Sequence, residues 1–292
     1  MGYVLAVTAL LLWGLVQIPI KLARAPGRSG IVVSMATGLV SLGVILVVTG
    51  RMAWPSASAG EWVVICANGL CHFSLPTYLY YDAIRRAGIT NASPVTRLTP
   101  VLVVAAAVAL NMTPFSWGIA GSAAMVFAAG VLLGRGARAS HPIEKRGDLY
   151  AGMTFAFIAA VLWAVGDILV ARMRADLARS IVLFWGLFFS GVFHLAMLAV
   201  LRRVGELRQL VARDFLCYGI HGVVSFALAY WAFFEAIQAL GVAPAIVITG
   251  CWPLIGVLAG VVLFREPMNP AKVAGIALFV LSALIAALAG AG

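Results

Sequence analysis

Few side chains in this sequence could do acid, base or ion-pair chemistry, because only 10% of its 292 residues are charged. Within the long apolar stretches the ionisable groups are Asp82, Arg97, Asp167 and Glu235. A charge at the centre of a lipid bilayer costs at least about 2.5 kcal/mol, so such groups normally face a cavity or a partner. These positions are therefore the first candidates for contact with a polar ligand.

Arg97 lies about seven residues inside its predicted helix, which is a depth of roughly 10 Å. One interpretation is structural: the side chain extends to the membrane interface or pairs with Asp82. The other is functional, with the guanidinium contacting the carboxylate of a substrate. The sequence leaves both interpretations open.

Asp167 follows Trp163 by four residues, so the two share one face of a helix. Gln17 follows Trp13 with the same spacing in the first predicted helix. A carboxylate beside an aromatic face could receive an ammonium group or carry a proton. The alternative is a helix-terminus carboxylate that is bonded to Arg172 or to water.

Aromatic residues cluster at the ends of two predicted helices. They are Tyr78, Tyr80 and Tyr81 in one, and Tyr230, Trp231, Phe233 and Phe234 in the other. Such residues either mark the membrane interface or line a cavity.

The prolines Pro94, Pro100 and Pro253 each leave a backbone carbonyl without its helical hydrogen bond. Nearby threonine hydroxyls could donate to these carbonyls, or the hydroxyls could bind ligand instead. We predict these substrate-binding residues: Trp13, Gln17, Tyr78, Tyr81, Thr96, Thr99, Trp163, Asp167, Trp231 and Trp252.

The sequence shows no catalytic equipment. It has no Gly-rich phosphate loop, no Ser/His/Asp arrangement and no cluster with metal-ligand spacing. All four cysteines lie in apolar runs, and His72 and His221 have no evident partner. We therefore predict a protein that is not an enzyme and that binds no cofactor or metal.

The composition excludes a soluble globular protein, since 63% of the residues are hydrophobic and the mean hydropathy is +1.06. Soluble domains carry about a quarter charged residues. The net charge of +10 comes from basic residues in the short gaps between apolar stretches, where membrane proteins carry them. The lipid bilayer is thus the expected partner, and nucleic acid is not.

Ten apolar segments are each long enough to cross a hydrocarbon core about 30 Å thick. We predict spans at residues 3–21, 30–48, 61–83, 90–110 and 117–133, and then at 149–171, 181–201, 215–237, 242–264 and 273–288. The longest hydrophilic stretch, GRGARASHPIEKRGD, separates the two sets of five. We interpret residues 135–148 as a linker between two units, 1–134 and 149–292.

Residues 82–114 recur at residues 235–267 without a gap, and 11 of 33 aligned positions are identical. The matched pairs include Gly88 with Gly241, Thr96 with Thr249, Pro100 with Pro253, and Pro114 with Pro267. Since five is odd, a second copy of a five-helix unit must enter the membrane from the opposite side. The sequence therefore predicts an all-α membrane protein of two inverted repeats around a central cavity, as in many secondary transporters.

Lysine and arginine counts predict an orientation. The loops after odd-numbered spans, with their flanking turns, hold 15 of these residues, and the opposite side holds 4. Positive loops stay in the cytoplasm, so this distribution places both termini outside.

The chain resembles the EamA-type drug/metabolite transporter superfamily. The resemblance rests on LLWG in the first span, VLW in the sixth, the Ala-Gly turn before a proline-bearing helix in each repeat, and LFREP at the end of the ninth. The aromatic-rich helices are most similar to the YddG-type exporters of aromatic and other neutral amino acids. The glutamate of LFREP occurs once, because Thr113 stands where the second copy has Glu266. Family members are usually drawn with cytoplasmic termini, which conflicts with the charge distribution.

The resemblance implies a secondary transporter in a bacterial-type inner membrane that exports small organic solutes, with aromatic or other neutral amino acids as the expected substrates. We expect it to work as a monomer by alternating access. The alternatives are an exporter of other metabolites or cationic drugs, a membrane-embedded enzyme acting on lipid-linked substrates, and a structural subunit. An enzyme would need paired acids or histidines at one depth, which the sequence does not reveal.

Overall fold

The computed structural model describes residues 1–25, 27–136, 146–174, 176–265 and 268–290. Within these ranges the chain consists of helices and short connections, without a strand. Ten membrane-spanning helices, α1 to α10, follow one another along the chain, which confirms the predicted fold class. Their ends lie within a few residues of the predicted ones.

The first five helices are α1 (Gly2–Leu15 and Gln17–Leu22), α2 (Gly27–Val48), α3 (Ala59–Asn68, a π segment at Gly69–Ser74, and Leu75–Ala87), α4 (Ile89–Thr96 and Thr99–Ala109) and α5 (Trp117–Gly136). The second five are α6 (Arg146–Ala171), α7 (Arg179–Val200), α8 (Ala212–His221, a π segment at Gly222–Ala229, and Tyr230–Leu240), α9 (Val242–Thr249 and Pro253–Phe264) and α10 (Pro270–Ala289). A short 3-10 helix, Val204–Gln209, precedes α8.

Nine stretches of the described residues qualify as membrane spans by length and composition alone. Helix α3 is not among them, and it carries buried polar side chains at Asn68, His72, Ser74 and Asp82. Polar residues within a span normally face the interior of the bundle. Helix α3 therefore brings a polar surface into the centre of the protein.

The two repeats bend at matching positions. Gly88, between α3 and α4, has a φ of 75°, and Gly241, between α8 and α9, has a φ of 81°. Glycine adopts this left-handed region without the steric cost that a Cβ would add. Helix α4 is then interrupted just before Pro100 and α9 just before Pro253, so these two predicted spans are not continuous helices.

The third helix of each repeat packs against the second helix of the other repeat. A Cβ on Gly69 of α3 would lie only 2.7 Å from the carbonyl of Gly186 in α7. A Cβ on Gly222 of α8 would clash with the Thr37 hydroxyl and the Ser34 carbonyl of α2. Small residues allow membrane helices to approach this closely. Both glycines begin a π segment, a local widening of the helix that is often found at functional sites.

Two sides of the bundle can be distinguished by the loops they carry. The terminal side holds both ends of the chain, where the Tyr3 hydroxyl donates to the Ala287 carbonyl at 3.0 Å. The linker side holds the C-terminal end of α5 and the N-terminal end of α6, together with the loops after α1, α3 and α7. Residues 137–145 of the predicted linker lie outside the described residues, and its last residues, 146–148, begin α6. Glu266 and Pro267 of the LFREP stretch also lie outside them.

Ion pairs on the linker side hold several helices together. Arg28, at the start of α2, donates to Glu206 with two hydrogen bonds of 2.7 Å and lies 3.7 Å from Asp82. Arg85 and Arg86 each approach Asp82 within 2.8 Å. Asp82 is therefore fully engaged at this side of the bundle.

We predict that Gly222→Ala lowers stability, because the added methyl group meets backbone and a buried hydroxyl at the α2–α8 contact. Overpacking of this kind typically costs about 1–3 kcal/mol. Gly191→Ala in α7 is the matched control, since a Cβ there meets no atom within 4 Å. Thermal unfolding of the detergent-purified variants should show a lower midpoint for the first change only. Equal midpoints would mean that α2 and α8 do not pack this closely.

Candidate functional site

A cavity of about 190 Å³ lies between the two repeats. Its walls come from α1, α3 and α4 of the first repeat, with Ile31 of α2, and from α6, α8 and α9 of the second. Partly exposed residues, Gln17, Ile20 and Tyr81, line the end toward the linker side. Buried residues, Asp167 and Phe233, line the end toward the terminal side.

The structure brings eight of the ten predicted site residues to this one cavity. They are Trp13, Gln17, Tyr81, Thr96, Thr99, Trp163, Asp167 and Trp252. Their common position is a geometric finding, and their contact with a substrate remains a prediction.

The two other predicted residues are not part of this cavity wall. The cavity face of α3 carries Thr77, Tyr80 and Tyr81, which follow helical spacing, and Tyr78 points away from it toward His194 of α7. Trp231 donates its indole N–H to Glu235 at 3.1 Å, one turn along α8. Each is held by a neighbour outside this cavity wall, and a role in substrate binding stays a prediction for both residues.

Aromatic pairs that reach from one repeat to the other form two walls of the cavity. Trp13 of α1 packs edge-to-face on Phe233 of α8, with ring centroids 5.2 Å apart. Trp163 of α6 packs on Tyr80 of α3 in the same way at 5.6 Å. The first helix of each repeat thus contacts the third helix of the other, as inverted repeats require. The geometry suits a ligand with an apolar body.

Arg97 is buried in the cavity wall and is only 8% exposed. Its Nη2 donates to the Thr96 hydroxyl at 3.2 Å, and its guanidinium carbon lies 4.6 Å from the centre of the Trp252 ring. The Nε atom has no hydrogen-bond partner. Within the described residues no carboxylate pairs with Arg97, because Asp82 is occupied by other arginines. The expected Arg97–Asp82 pair is therefore wrong, and Arg97 does not extend to the interface.

Asp167 is also buried, at 2% exposed. Its Oδ1 lies 3.6 Å from Nε2 of His72, which is equally buried on the π segment of α3. This Oδ1 atom makes no hydrogen bond. The alternative partner that the sequence suggested, Arg172, makes no ion pair with Asp167 in the described residues, so this form of the helix-terminus interpretation is not supported.

The threonine hydroxyls complete the backbone of the broken helices. Thr96 donates to the Ser93 carbonyl at 2.8 Å, and Thr99 donates to the Thr96 carbonyl at 2.9 Å. Thr249 donates to the Ala245 carbonyl at 2.8 Å. The hydroxyl protons are therefore used within the protein, and each oxygen can still accept one hydrogen bond from a ligand.

Sequence reasoning missed several polar and aromatic residues that line the cavity. They are His72, Tyr80, His221, Ser225 and Tyr230. A signal was available for three of them. Extending the repeat alignment upstream places His72 opposite Ser225 and Asn68 opposite His221, so the inward face of α3 predicts that of α8.

No group of three or more His, Cys, Asp or Glu side chains within the described residues could hold a metal ion. The cavity thus offers one guanidinium, one carboxylate beside an imidazole, several aromatic faces and a few neutral polar groups. This set can bind a small organic molecule without covalent chemistry.

The comparisons with known proteins agree with this architecture. The model of the EamA-like transporter family matches residues 1–135 and 150–288. A solved structure described only as a crystal structure of a protein is similar over 98% of this chain and 96% of its own, with a TM-score of 0.80 and 20% sequence identity. At that identity the likeness concerns the fold alone. No curated protein matches the chain.

Proposed function

The chain belongs to the EamA-like transporter family, whose members move small solutes across membranes, and from this premise we propose that it exports neutral amino acids with aromatic or bulky apolar side chains. We also propose that the chain belongs to the YddG-type subgroup that its sequence resembles. The observation that carries it is Arg97, a buried cation in an aromatic-lined cavity that has no carboxylate partner among the described residues. A buried charge normally requires a partner, and a substrate carboxylate would supply it.

The groups around Arg97 fit the rest of such a substrate. Arginine binds carboxylates through two parallel hydrogen bonds, and Nε is the donor that is still free. Gln17 donates its amide to the Trp13 carbonyl at 3.1 Å, and its carboxamide oxygen can accept a bond from an ammonium group. Trp13, Trp163 and Trp252 provide flat apolar surfaces for an aromatic side chain.

Alternating access follows from the inverted repeats. Two units of the same fold can exchange their conformations, so that a cavity open on one side becomes a cavity open on the other. At its end toward the linker side the cavity is lined by the partly exposed Gln17, Ile20 and Tyr81. We propose that rocking the two repeats moves the access to the terminal side, and that one chain suffices because it contains both repeats.

The main alternative substrates are organic cations. Arg97 disfavours them, since a second positive charge would enter a cavity that already holds one. An enzyme acting on lipid-linked substrates is disfavoured as well, because the described cavity holds a single acid, Asp167, and its two histidines, His72 and His221, lie toward opposite ends.

We predict that Arg97→Gln weakens binding of L-tryptophan by about 10- to 100-fold, because a hydrogen bond to a charged group contributes about 1.5–3 kcal/mol. Tryptamine, which has the same ring and ammonium group without the carboxylate, is the matched ligand. Its affinity should be low in the unchanged protein and should not fall further in the variant. Titration of both ligands in detergent measures this. An equal loss of affinity for the two ligands would show that Arg97 does not bind the substrate carboxylate.

We predict that Trp163→Ala reduces counterflow of L-tryptophan in proteoliposomes far more than it reduces protein yield, because the Trp163–Tyr80 wall is lost. Trp54→Ala is the control: Trp54 is 73% exposed and packs with Trp62 and Trp185 away from the cavity. If the two variants transport alike, the ligand does not contact Trp163.

We propose that the linker side faces the cytoplasm of a bacterial-type inner membrane, as the 15 basic residues on that side indicate. A cysteine at Ser140 should then react with a membrane-impermeant thiol reagent only after cells are opened. The four natural cysteines are first replaced by alanine. Labelling in intact cells would show that the proposed orientation is wrong and that the termini lie in the cytoplasm.

A further inference from the structure

The Asp167–His72 pair lies at the end of the cavity toward the terminal side, where both side chains are buried. His72 packs its ring against Phe73, Tyr230 and Phe234, at centroid distances between 4.7 and 5.7 Å. On the other side of the imidazole, the Asn68 amide nitrogen lies 3.4 Å from Nδ1 and donates to the Gly166 carbonyl at 3.0 Å. The imidazole is thus fixed with its second nitrogen, Nε2, directed at the carboxylate.

This pair is separate from the position of Arg97. Thr99 and Ala160 lie at one level, since the Thr99 hydroxyl is 3.3 Å from the Ala160 carbonyl. Asp167 lies seven residues further along α6, about 10 Å toward the terminal side. Arg97 precedes Thr99 and lies toward the linker side. An α-amino acid carries both charged groups on one carbon, so it cannot contact Arg97 and Asp167 at once.

The inverted repeat contains a second copy of this arrangement without an acid. The repeat places Gln17 at the position of Asp167, Ser225 at that of His72 and His221 at that of Asn68. All three counterparts line the cavity toward the linker side. The scaffold therefore does not require an acid at this position, because its copy accommodates neutral side chains.

Few other charges face the pair. Helix α3 contributes His72, and α8 contributes Tyr230. Helix α4 contributes Arg97, at the other level of the cavity, and α9 contributes the neutral Thr249 and Trp252. The carboxylate and the imidazole are thus the acid–base groups at this end within the described residues.

We propose that Asp167 and His72 form a binding site for one proton, and that this proton is the ion exchanged for the exported substrate. The proton comes from water on one side and forms a bond to the carboxylate or the imidazole. That bond breaks when water on the other side takes the proton. The pair has a net charge of −1 without the proton and none with it. The exchange role, unlike the proton site itself, rests on the proposed function.

The coupling follows from burial. Closing the terminal side removes water from the pair, which is costly for an unneutralised carboxylate and much less so for a neutral pair. An empty transporter can therefore close that side after taking up a proton. Because Asp167 and His72 line the same cavity as Arg97, that cavity gives the proton a path to water on the linker side when this side is open, and substrate then binds at Arg97.

Flux in proteoliposomes tests the coupling. In the unchanged protein an inward proton gradient should drive L-tryptophan above its equilibrium level. Asp167→Asn should abolish this accumulation and retain tryptophan–tryptophan exchange, because asparagine mimics the neutral pair. His194→Gln is the histidine control and should keep the accumulation, since His194 lies on α7 outside the cavity wall.

The other outcomes are distinct. If tryptophan exchange in the unchanged protein does not depend on the proton gradient, the coupling is overturned and the proposed export function stands. Accumulation that survives Asp167→Asn places the proton elsewhere and overturns the site. The absence of any tryptophan flux refutes the proposed substrate class and, with it, the exchange role.

Infrared titration of the purified protein tests the proton site without any substrate. A carboxylic-acid carbonyl band should appear or shift as the pH is lowered, be lost in Asp167→Asn and change its midpoint in His72→Gln. A merely structural hydrogen bond would leave the band independent of pH. The same band in the unchanged protein and in Asp167→Asn would overturn the proposal.

Discussion

The structure depends on one constraint, which is that lipid offers no hydrogen bonds to the backbone. Every interruption of a helix must therefore be satisfied within the protein. At the break in α4, the Thr96 and Thr99 hydroxyls bond to backbone carbonyls, and Thr249 does the same near the break in α9. Because the breaks and both π segments lie beside the cavity, the irregular backbone and the cavity occupy the same part of the bundle.

The two repeats share their backbone and differ in their charges. Turn glycines and threonines are matched, whereas Arg97 corresponds to Gly250 in the second copy. A Cβ on Gly250 would lie 2.9 Å from both the Ile246 carbonyl and the Pro100 ring, so this position has no room for a second arginine. A second guanidinium would also repel the first in so small a space. The duplication thus supplies the same backbone geometry twice, whereas the positive charge of Arg97 and the negative charge of Asp167 each occur in one repeat only.

Hydropathy and the repeat were sufficient to predict ten helices in two inverted units, because span length and an odd helix number leave few arrangements. The cavity was predicted in part. Trp163 and Asp167 share a helical face, so spacing along one helix identified them together. His72 was missed because its partner is on α6, and contacts between helices cannot be read from spacing within one helix. Tyr78 lies off this cavity wall, and a cluster of tyrosines in a sequence does not show which of them faces inward.

Equal backbones with unequal charges give the two access states different energies. Opening the terminal side exposes the Asp167–His72 pair to water, whereas opening the linker side exposes its neutral counterpart, Gln17 with Ser225. Water stabilises a charged pair much more than a neutral one. A charged pair therefore favours the state that is open on the terminal side, and neutralising the pair removes this preference. In the proposed exchange, the proton and substrate gradients set the direction of net transport, and the few side chains that the scaffold does not duplicate couple one gradient to the other.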